Sequence, residues 1–429
     1  MRIQTLKSTS PFLLFIPFLF LYIIFVIHFH TDEMFGDEAR YLNFAQNLLN
    51  GFYSPAYPKI DLINGPGYPI ILMPFVLLKL PLISITLLNA LLHYLSIIFV
   101  FKSIQLITES FKTSLLIGIC WGAYFLAFQE MPCILTESLT LFLISIFSYL
   151  IIHIQHKRGV SNRFIVAAGL SFGLLILTKV IFAYVLVLLL VICTIYYFLN
   201  KRKPIILKTL FVLLISFSTI TPYLLYTYSI TGKVFYLSTE GGKVLYWMTS
   251  LSEDEFGDWN NNNFDANCYN KSFCNASFIA KNHQDDFDKI NKTKTVIEAD
   301  SLFKAMAIAN IKRSPVKYAK NWFSNIGRLL FGFPASYYFQ APTTLVRIYV
   351  NSILLLAMVY SLFVMVWNWR KLPFEITLLV AFSMIYLGLS SLVSAYPRQF
   401  NVMVPLILIW TTYAITKSVK INLKIESNL

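Results

Sequence analysis

Charged residues are scarce in this sequence. They make up 13% of its 429 positions, against roughly 25% in soluble domains, so a water-soluble fold of this composition would expose too much apolar surface. Acidic residues are scarcer still, 21 against 35 Lys and Arg. Cysteine occurs only five times. Cys120, Cys133 and Cys193 fall in or beside apolar runs and read as small packing groups, whereas Cys268 and Cys274 share a polar stretch and would pair only in an oxidising compartment. The histidines, His28, His30, His93, His153, His156 and His283, lack metal-ligand spacing and read as packing or interfacial groups. No internal repeat is visible, although many transporters are built from one. No small-residue cleavage site follows the first apolar run, which reads as a retained helix and not a secretory signal.

Apolar residues fill the space left, at 57%, with a mean hydropathy of +0.64. Runs near the 20 or so residues needed to cross a bilayer can be drawn at 11–29, 82–107, 114–128, 133–154, 164–177, 181–199, 205–228, 344–366, 376–393 and 402–415. The bilayer is therefore the solvent, and the fold class is an all-α polytopic bundle of about ten transmembrane helices. Ten crossings put the segments beginning at Met1, Gln155, Lys201, Asn368 and Lys417 on one side, with the turn around Lys112. These segments are basic, and only Glu109, Glu375 and Glu426 of the 21 acidic residues lie there. The positive-inside bias makes that side cytoplasmic. The basic residues thus set topology, and no nucleic-acid partner is implied.

The chain divides into an N-terminal membrane module (1–228) containing a first external loop (30–69), a large external loop (229–342), and a C-terminal module with a short tail (343–429). Connections that long are usually functional. In the first loop, Tyr41, Phe44, Ala45, Leu48 and Leu49 recur at helical spacing and Asn50-Gly51 is a stop signal, so 37–50 reads as an amphipathic interfacial helix. Pro and Gly then force an irregular path before a short apolar stretch, 70–80, that re-enters the outer leaflet. In the second loop 301–330 reads as one or two interfacial helices interrupted at Pro315, while the Asn- and Asp-rich 254–288 reads as poorly ordered. Asn270, Asn275 and Asn291 match the glycosylation pattern, as chance readily produces in so Asn-rich a stretch.

Asp37 lies just beyond the first apolar run, in Gly36-Asp37-Glu38-Ala39-Arg40-Tyr41. At a first helical turn the peptide dipoles favour an ionised carboxylate, which suits a general base. A plain helix N-cap explains the same residue, and the local pattern does not choose between them.

The string Asp37-Glu38-Ala39-Arg40-Tyr41, the helix ending Asn50-Gly51, and Asn64-Gly65-Pro66-Gly67-Tyr68-Pro69 resemble the first external loop of the GT-C polyprenyl-phosphate-sugar-dependent glycosyltransferases. That superfamily includes the protein O-mannosyltransferases, the lipid A aminoarabinose transferases and the rhizobial lipopolysaccharide galacturonosyltransferases. The resemblance continues through Leu135-Thr136-Glu137-Ser138-Leu139, Gly173-Leu174-Leu175-Ile176-Leu177-Thr178-Lys179, Ser314-Pro315-Val316-Lys317-Tyr318 and Pro397-Arg398. It implies a GT-C-type bundle with Asp37 as the catalytic acidic residue beyond the first helix and Glu38 completing an acidic pair. It also implies a second acidic position at Glu137, for which a helix N-terminal carboxylate after Thr136 is the plain alternative.

A polyprenyl-phosphate sugar keeps its tail in the bilayer and its reacting groups at the interface. Inverting displacement at the anomeric carbon needs one base for the acceptor hydroxyl, and the leaving phosphate needs cations. Lys179, at the outer junction of two apolar runs, and Arg398, in the last external turn, fit that need, although both could simply snorkel. Glu38, Arg40 and Tyr41 complete the expected substrate-binding set, with Arg40 and Lys59 the weaker candidates for the phosphate. One departure matters: the aminoarabinose transferases carry Glu-Lys-Pro-Pro where this chain has Asn64-Gly65-Pro66-Gly67, so neither that donor nor its metal contact transfers. The sequence names no cofactor, and a divalent cation stays open.

The sequence thus reads as a bacterial inner-membrane glycosyltransferase, multi-pass with a cytoplasmic N-terminus and a periplasmic or extracellular active site. It would move a sugar from a polyprenyl-phosphate donor to an extracytoplasmic lipid, lipopolysaccharide or protein acceptor. A lipid-linked-sugar flippase or other transporter, and a polysaccharide polymerase or ligase of related architecture, are the alternatives.

Overall fold

The computed structural model describes residues 9–34, 36–156, 161–199, 203–259, 276–336 and 340–426. Among them the regular structure is entirely helical. In chain order the helices are α1 (Pro11–Leu14), α2 (Ile16–Phe29), α3 (Glu38–Leu49), α4 (Gly67–Leu77), α5 (Ile83–Thr108), α6 (Phe111–Gly122), α7 (Phe125–Phe128), α8 (Glu137–His156), α9 (Asn162–Thr178) and α10 (Ile181–Leu199). There follow α11 (Pro204–Thr231), α12 (Gly241–Met248), α13 (Ala276–Ile290), α14 (Val296–Arg313), α15 (Pro315–Phe331), α16 (Pro342–Trp367), α17 (Phe374–Ser391), α18 (Pro397–Asn401) and α19 (Val404–Glu426).

Six of these, α5, α8, α10, α11, α16 and α17, are long and apolar enough to cross a bilayer, and α2, α4, α6, α9 and 404–417 of α19 are shorter apolar helices. The chain is therefore a polytopic membrane protein. Each of the ten apolar runs drawn from the sequence lies on helix, with shifts at three places. Phe15 separates α1 from α2, and the third run breaks at 123–124. The fourth run turns helical only at Glu137, because 129–136 is committed to the loop that docks on α3.

The central helix is α8: 78% of its apolar window is buried, against 22% for α16. Around α8 pack α5, α9, α17 and α19. The outer helices keep large apolar side chains exposed, among them Tyr349, Leu356, Phe363 and Trp367 of α16, as a lipid-facing surface requires. Close helix contacts use small residues. Methyl groups on Gly169 and Gly173 of α9 would lie 2.5 Å from Ile215 and Thr219 of α11, and Ser216 donates to the Gly169 carbonyl at 3.0 Å, the packing expected where no hydrophobic force separates helix from lipid.

The loops carry the expected short helices. Helix α3 matches the amphipathic segment, and α14 and α15 meet at Pro315. The 254–288 stretch differs from expectation. Residues 260–275, with Cys268, Cys274, Asn270 and Asn275, lie outside the described residues, but α13 is a regular helix. Its Phe287 and Ile290 pack with Tyr246, Trp247, Phe303 and Ala307 into a small core of the lobe formed by the large loop; two apolar residues three apart suffice to anchor an otherwise polar helix.

Candidate functional site

Four polar groups from distant parts of the chain meet at one end of the bundle. Asp37 precedes α3, Glu137 opens α8, Lys179 follows α9, and Arg398 lies in α18 ahead of α19. Each occupies the end of a helix, where an apolar run can give way to charge.

Gly36, at φ +60°, turns the chain into α3, a left-handed conformation that glycine adopts without strain. Asp37 then has right-handed helical angles, and its side chain makes no capping hydrogen bond. The N-cap explanation is therefore not what holds the carboxylate. Its Oδ1 accepts from Arg40 Nη1 at 3.0 Å, and its Oδ2 lies 3.5 Å from Arg398 Nη2.

Glu137 Oε1 accepts from Lys179 Nζ at 2.9 Å and lies 3.9 Å from Arg398 Nε. Arg398 thus joins both carboxylates. The Glu137 side chain is 5% exposed, and its Oε2 is buried without a hydrogen-bond partner among the described residues. Lys179 has an extended backbone at the two-residue break between α9 and α10.

The Asn64-Gly65-Pro66-Gly67 string is what lays the first loop on that break. A Cβ on Gly65 would stand 2.1 Å from the Leu177 carbonyl oxygen, and one on Gly67 2.6 Å from the Thr178 nitrogen, so only glycine allows the approach. Asn64 then serves as a bracket. Its Oδ1 accepts from Arg40 at 3.4 Å, its Nδ2 donates to the Tyr41 hydroxyl at 3.1 Å, and its carbonyl accepts from Tyr53 at 2.7 Å. Tyr41 meets Tyr68 edge to face at 5.1 Å. Glu38 is buried and turned away from Asp37, its Oε1 accepting from the Ile134 amide at 2.7 Å; it ties α3 to the loop before α8. Lys59 is exposed and in no ion pair among the described residues.

Arg398 is held from two sides. Asn325 of α15 donates to the carbonyls of Ser391 at 2.8 Å and Val393 at 2.6 Å. Its Oδ1 accepts from Ala395 N at 3.0 Å and Arg328 Nη2 at 2.7 Å. The irregular turn before α18 thus finds in one side chain the partners that helix or sheet would have supplied. At the other end, Asn401 donates to the Leu126 carbonyl at 2.7 Å, and the Tyr124 hydroxyl bridges Asn351 and Asn401 at 2.8 and 3.2 Å.

The electrostatics favour an anion. Three cations in direct ion-pair contact face two carboxylates. The Glu137 carboxylate holds the Arg398 proton beyond even the usual arginine range against the opposing effect of burial, and Asp37 adds to it. Glu130, in the adjoining loop, is pushed toward its neutral form by burial and by Glu137, against the pull of Arg398, Arg347 and Lys179. The Tyr41 hydroxyl is likewise raised, first by burial and then by Glu137 and Asp37.

No protein-family model and no curated protein matches the chain. Among solved structures, the crystal structure of ArnT from Cupriavidus metallidurans bound to undecaprenyl phosphate is similar over 94% of this chain and 77% of that chain, at a TM-score of 0.39 and 12% sequence identity.

Of the site residues expected from sequence, Asp37, Arg40, Glu137, Lys179 and Arg398 form one connected set, and Tyr41 joins it through Asn64. The sequence did not single out Asn64 for a role, nor Glu130 or Asn325. Asn64 had a local signal, an Asn before a Gly-Pro-Gly turn; Asn325, in mid-helix, had none. Glu240 and Lys243, at the start of α12, are further additions. Burial raises the Glu240 carboxyl, opposed by Lys243 and Arg40, and burial lowers Lys243, so the large loop brings a second charged pair to the Arg40 side. Among the described residues no group of three or more His, Cys, Asp or Glu could hold a metal ion.

A separate network lies in the lobe formed by the large loop. His283 Nε2 meets Glu255 at 2.9 Å, and its Nδ1 meets the Tyr246 hydroxyl at 2.7 Å. Ser250 donates to the same carboxylate, Asn282 donates to it at 3.0 Å, and Lys317 donates to the Glu255 carbonyl at 2.8 Å. It fastens α12, α13 and α15 together.

Proposed function

We propose that this chain is a membrane glycosyltransferase of the GT-C type, moving a sugar from a polyprenyl-phosphate donor to an extracytoplasmic lipid, lipopolysaccharide or protein acceptor with inversion. The observation that carries the reading is the Asp37 carboxylate. It caps no helix, is 27% exposed, and stands at the edge of an apolar bundle beside Arg398, Lys179 and Glu137.

In this reaction Asp37 takes the acceptor hydroxyl proton as the acceptor oxygen attacks the anomeric carbon. The bond from that carbon to the phosphate oxygen breaks on the opposite face, and its electron pair leaves with the lipid phosphate. Arg398 and Lys179 neutralise that phosphate with positive charge placed beside it. Glu137 keeps both cations in place before the donor arrives, and Arg40, Tyr41 and Asn64 hold the Asp37 side of the cleft. Glu38 acts through the Ile134 amide as a positioning residue. A transporter would place its polar groups near the bilayer midplane, whereas these gather at helix ends.

The test is mass spectrometry of envelope lipids and proteins from cells carrying the gene, lacking it, or carrying Asp37→Asn. The expected result is one sugar missing from one acceptor in both altered strains, with the variant protein present in the membrane at normal level. Full modification in the Asp37→Asn strain would remove Asp37 as the base.

A further inference from the structure

The cations of the site are not held equally. Arg40 reaches Asp37 at 3.0 Å and Lys179 reaches Glu137 at 2.9 Å, close to the 2.7–2.9 Å of a strong charge-assisted hydrogen bond. Arg398 is different. It spans two carboxylates, 3.5 Å from Asp37 and 3.9 Å from Glu137, and makes a good hydrogen bond to neither. It is also the most exposed of the three, at 36% against 32% for Arg40 and 16% for Lys179. A guanidinium so placed will turn to any anion that offers two oxygens in its plane, which the phosphodiester of a lipid-linked sugar does through its two non-bridging oxygens.

The contact has a cost for the reaction. While Arg40 sits on Asp37 Oδ1 and Arg398 on Oδ2, neither carboxylate oxygen is open to an acceptor hydroxyl. We propose that Arg398 is a substrate-operated latch: the donor's phosphate draws it off Asp37, so that the base is freed only once the lipid-linked sugar is in place. This rests on the phosphate-binding role given to Arg398 above. The other charged groups around Asp37, namely Arg40 and Glu38 on its own helix, Glu137 and Lys179 behind Arg398, and Glu240 from the large loop, stay where they are; the loosest link moves. An acceptor hydroxyl entering an empty site would then meet no free base, which ties acceptor activation to donor occupancy.

Binding linkage makes this measurable without any sugar transfer. If phosphate and Asp37 compete for Arg398, each weakens the other's contact by the same factor. The probe is farnesyl phosphate, titrated calorimetrically into the purified full-length protein and into Asp37→Asn, Arg398→Gln and the double variant. An exposed ion pair of this length is worth a few-fold in affinity, so Asp37→Asn is expected to bind the probe roughly fivefold more tightly. The same substitution made in the Arg398→Gln protein should change affinity little. Equal or weaker binding by Asp37→Asn would mean that Asp37 steadies Arg398 for the phosphate, and overturns the latch. A gain that persists in the double variant reflects charge removal alone and overturns it too. No binding by the unaltered protein would instead sink the phosphate site itself, and the latch with it. Should the Gln variant not fold, Arg398→Lys, which is too short to span both carboxylates, takes its place with the same expected loss of coupling.

Discussion

Removing one partner of the Lys179–Glu137 pair should damage the protein far more than removing both. The two side chains are 16% and 5% exposed, and breaking a buried pair by deleting one member typically costs about 3–5 kcal/mol, because the other charge is left desolvated. The two single changes should not be equal. In Lys179→Met the stranded group is Glu137, nearly sealed, already with one oxygen unpartnered and left with Arg398 at 3.9 Å, so the full figure is expected. In Glu137→Leu the stranded group is a flexible ammonium that can snorkel toward the interface, and a loss of about half that follows. The double variant Glu137→Leu/Lys179→Met carries no stranded charge and should unfold within about 1 kcal/mol of the unaltered protein. The assay is tryptophan-fluorescence unfolding in lipid nanodiscs on all four proteins. Additive losses in the double variant would refute the reasoning, since they would mean that each side chain is held by something other than its partner. Sugar transfer is expected to be lost in the double variant although its stability is kept, because Lys179 no longer faces the leaving phosphate.

Asn325→Leu preserves volume but strands the Ser391 and Val393 carbonyls and the Ala395 amide; at about 1 kcal/mol for each buried group left unpaired, a loss near 3 kcal/mol is expected. Because the turn it holds leads into Arg398, the same variant should raise the donor's KM more than it lowers kcat, as steady-state transfer assays would show. Gly65→Ala drives a methyl group into the Leu177 carbonyl, and an overpacking cost of about 1–3 kcal/mol should appear with impaired transfer, while Gly241→Ala, whose added methyl meets nothing, should be silent in both unfolding and transfer measurements. In the large-loop lobe, burial pushes the Glu255 carboxyl up, but the hydrogen bond and charge of His283, with hydrogen bonds from Ser250 and Asn282, bring it down to about 2 from an ordinary 4.5. A folded-state value below the unfolded one stabilises fully above pH 4.5 and is lost as pH falls toward 2. Limited proteolysis of the lobe should therefore accelerate over that window, and Glu255→Gln should flatten the dependence.

The helices were legible because lipid imposes one rule on every span: long apolar runs whose backbone groups are satisfied internally. The loop helices were legible for the same local reasons, as the period of Tyr41, Phe44, Ala45 and Leu48 and the Pro315 break show. What local pattern could not supply was pairing. Asp37 was readable as a base or a cap, and only the folded chain shows that its side chain makes no capping hydrogen bond and lies beside Arg398 from the far end of the chain. Glu38 looked like half of an acidic pair, yet its partner is a backbone amide at Ile134, which no side-chain motif announces. Asn325 is one polar residue among several on an amphipathic helix, and three of its four hydrogen bonds depend on how α15 crosses the turn before α18. The polar composition of 276–290 suggested irregular chain, because a short helix with two anchoring apolar residues has almost no periodic signal until the surface it covers is known.

The placement of the three cations bears on why the site is built as it is. The basic segments containing Arg163, Lys203 and Arg370 lie at the opposite helix ends from the cluster. Lys179 and Arg398 therefore stand where a positive charge works against the insertion bias, if those basic ends are cytoplasmic. Charges tolerated there need counter-charges nearby, and Glu137 and Asp37 supply them at contact distance. A cluster kept only for neutrality would close into tight pairs throughout. This one closes Lys179 on Glu137 and Arg40 on Asp37, and leaves Arg398 stretched between two carboxylates at 3.5 and 3.9 Å. The unclosed cation is the part of the arrangement that charge neutrality alone leaves unexplained.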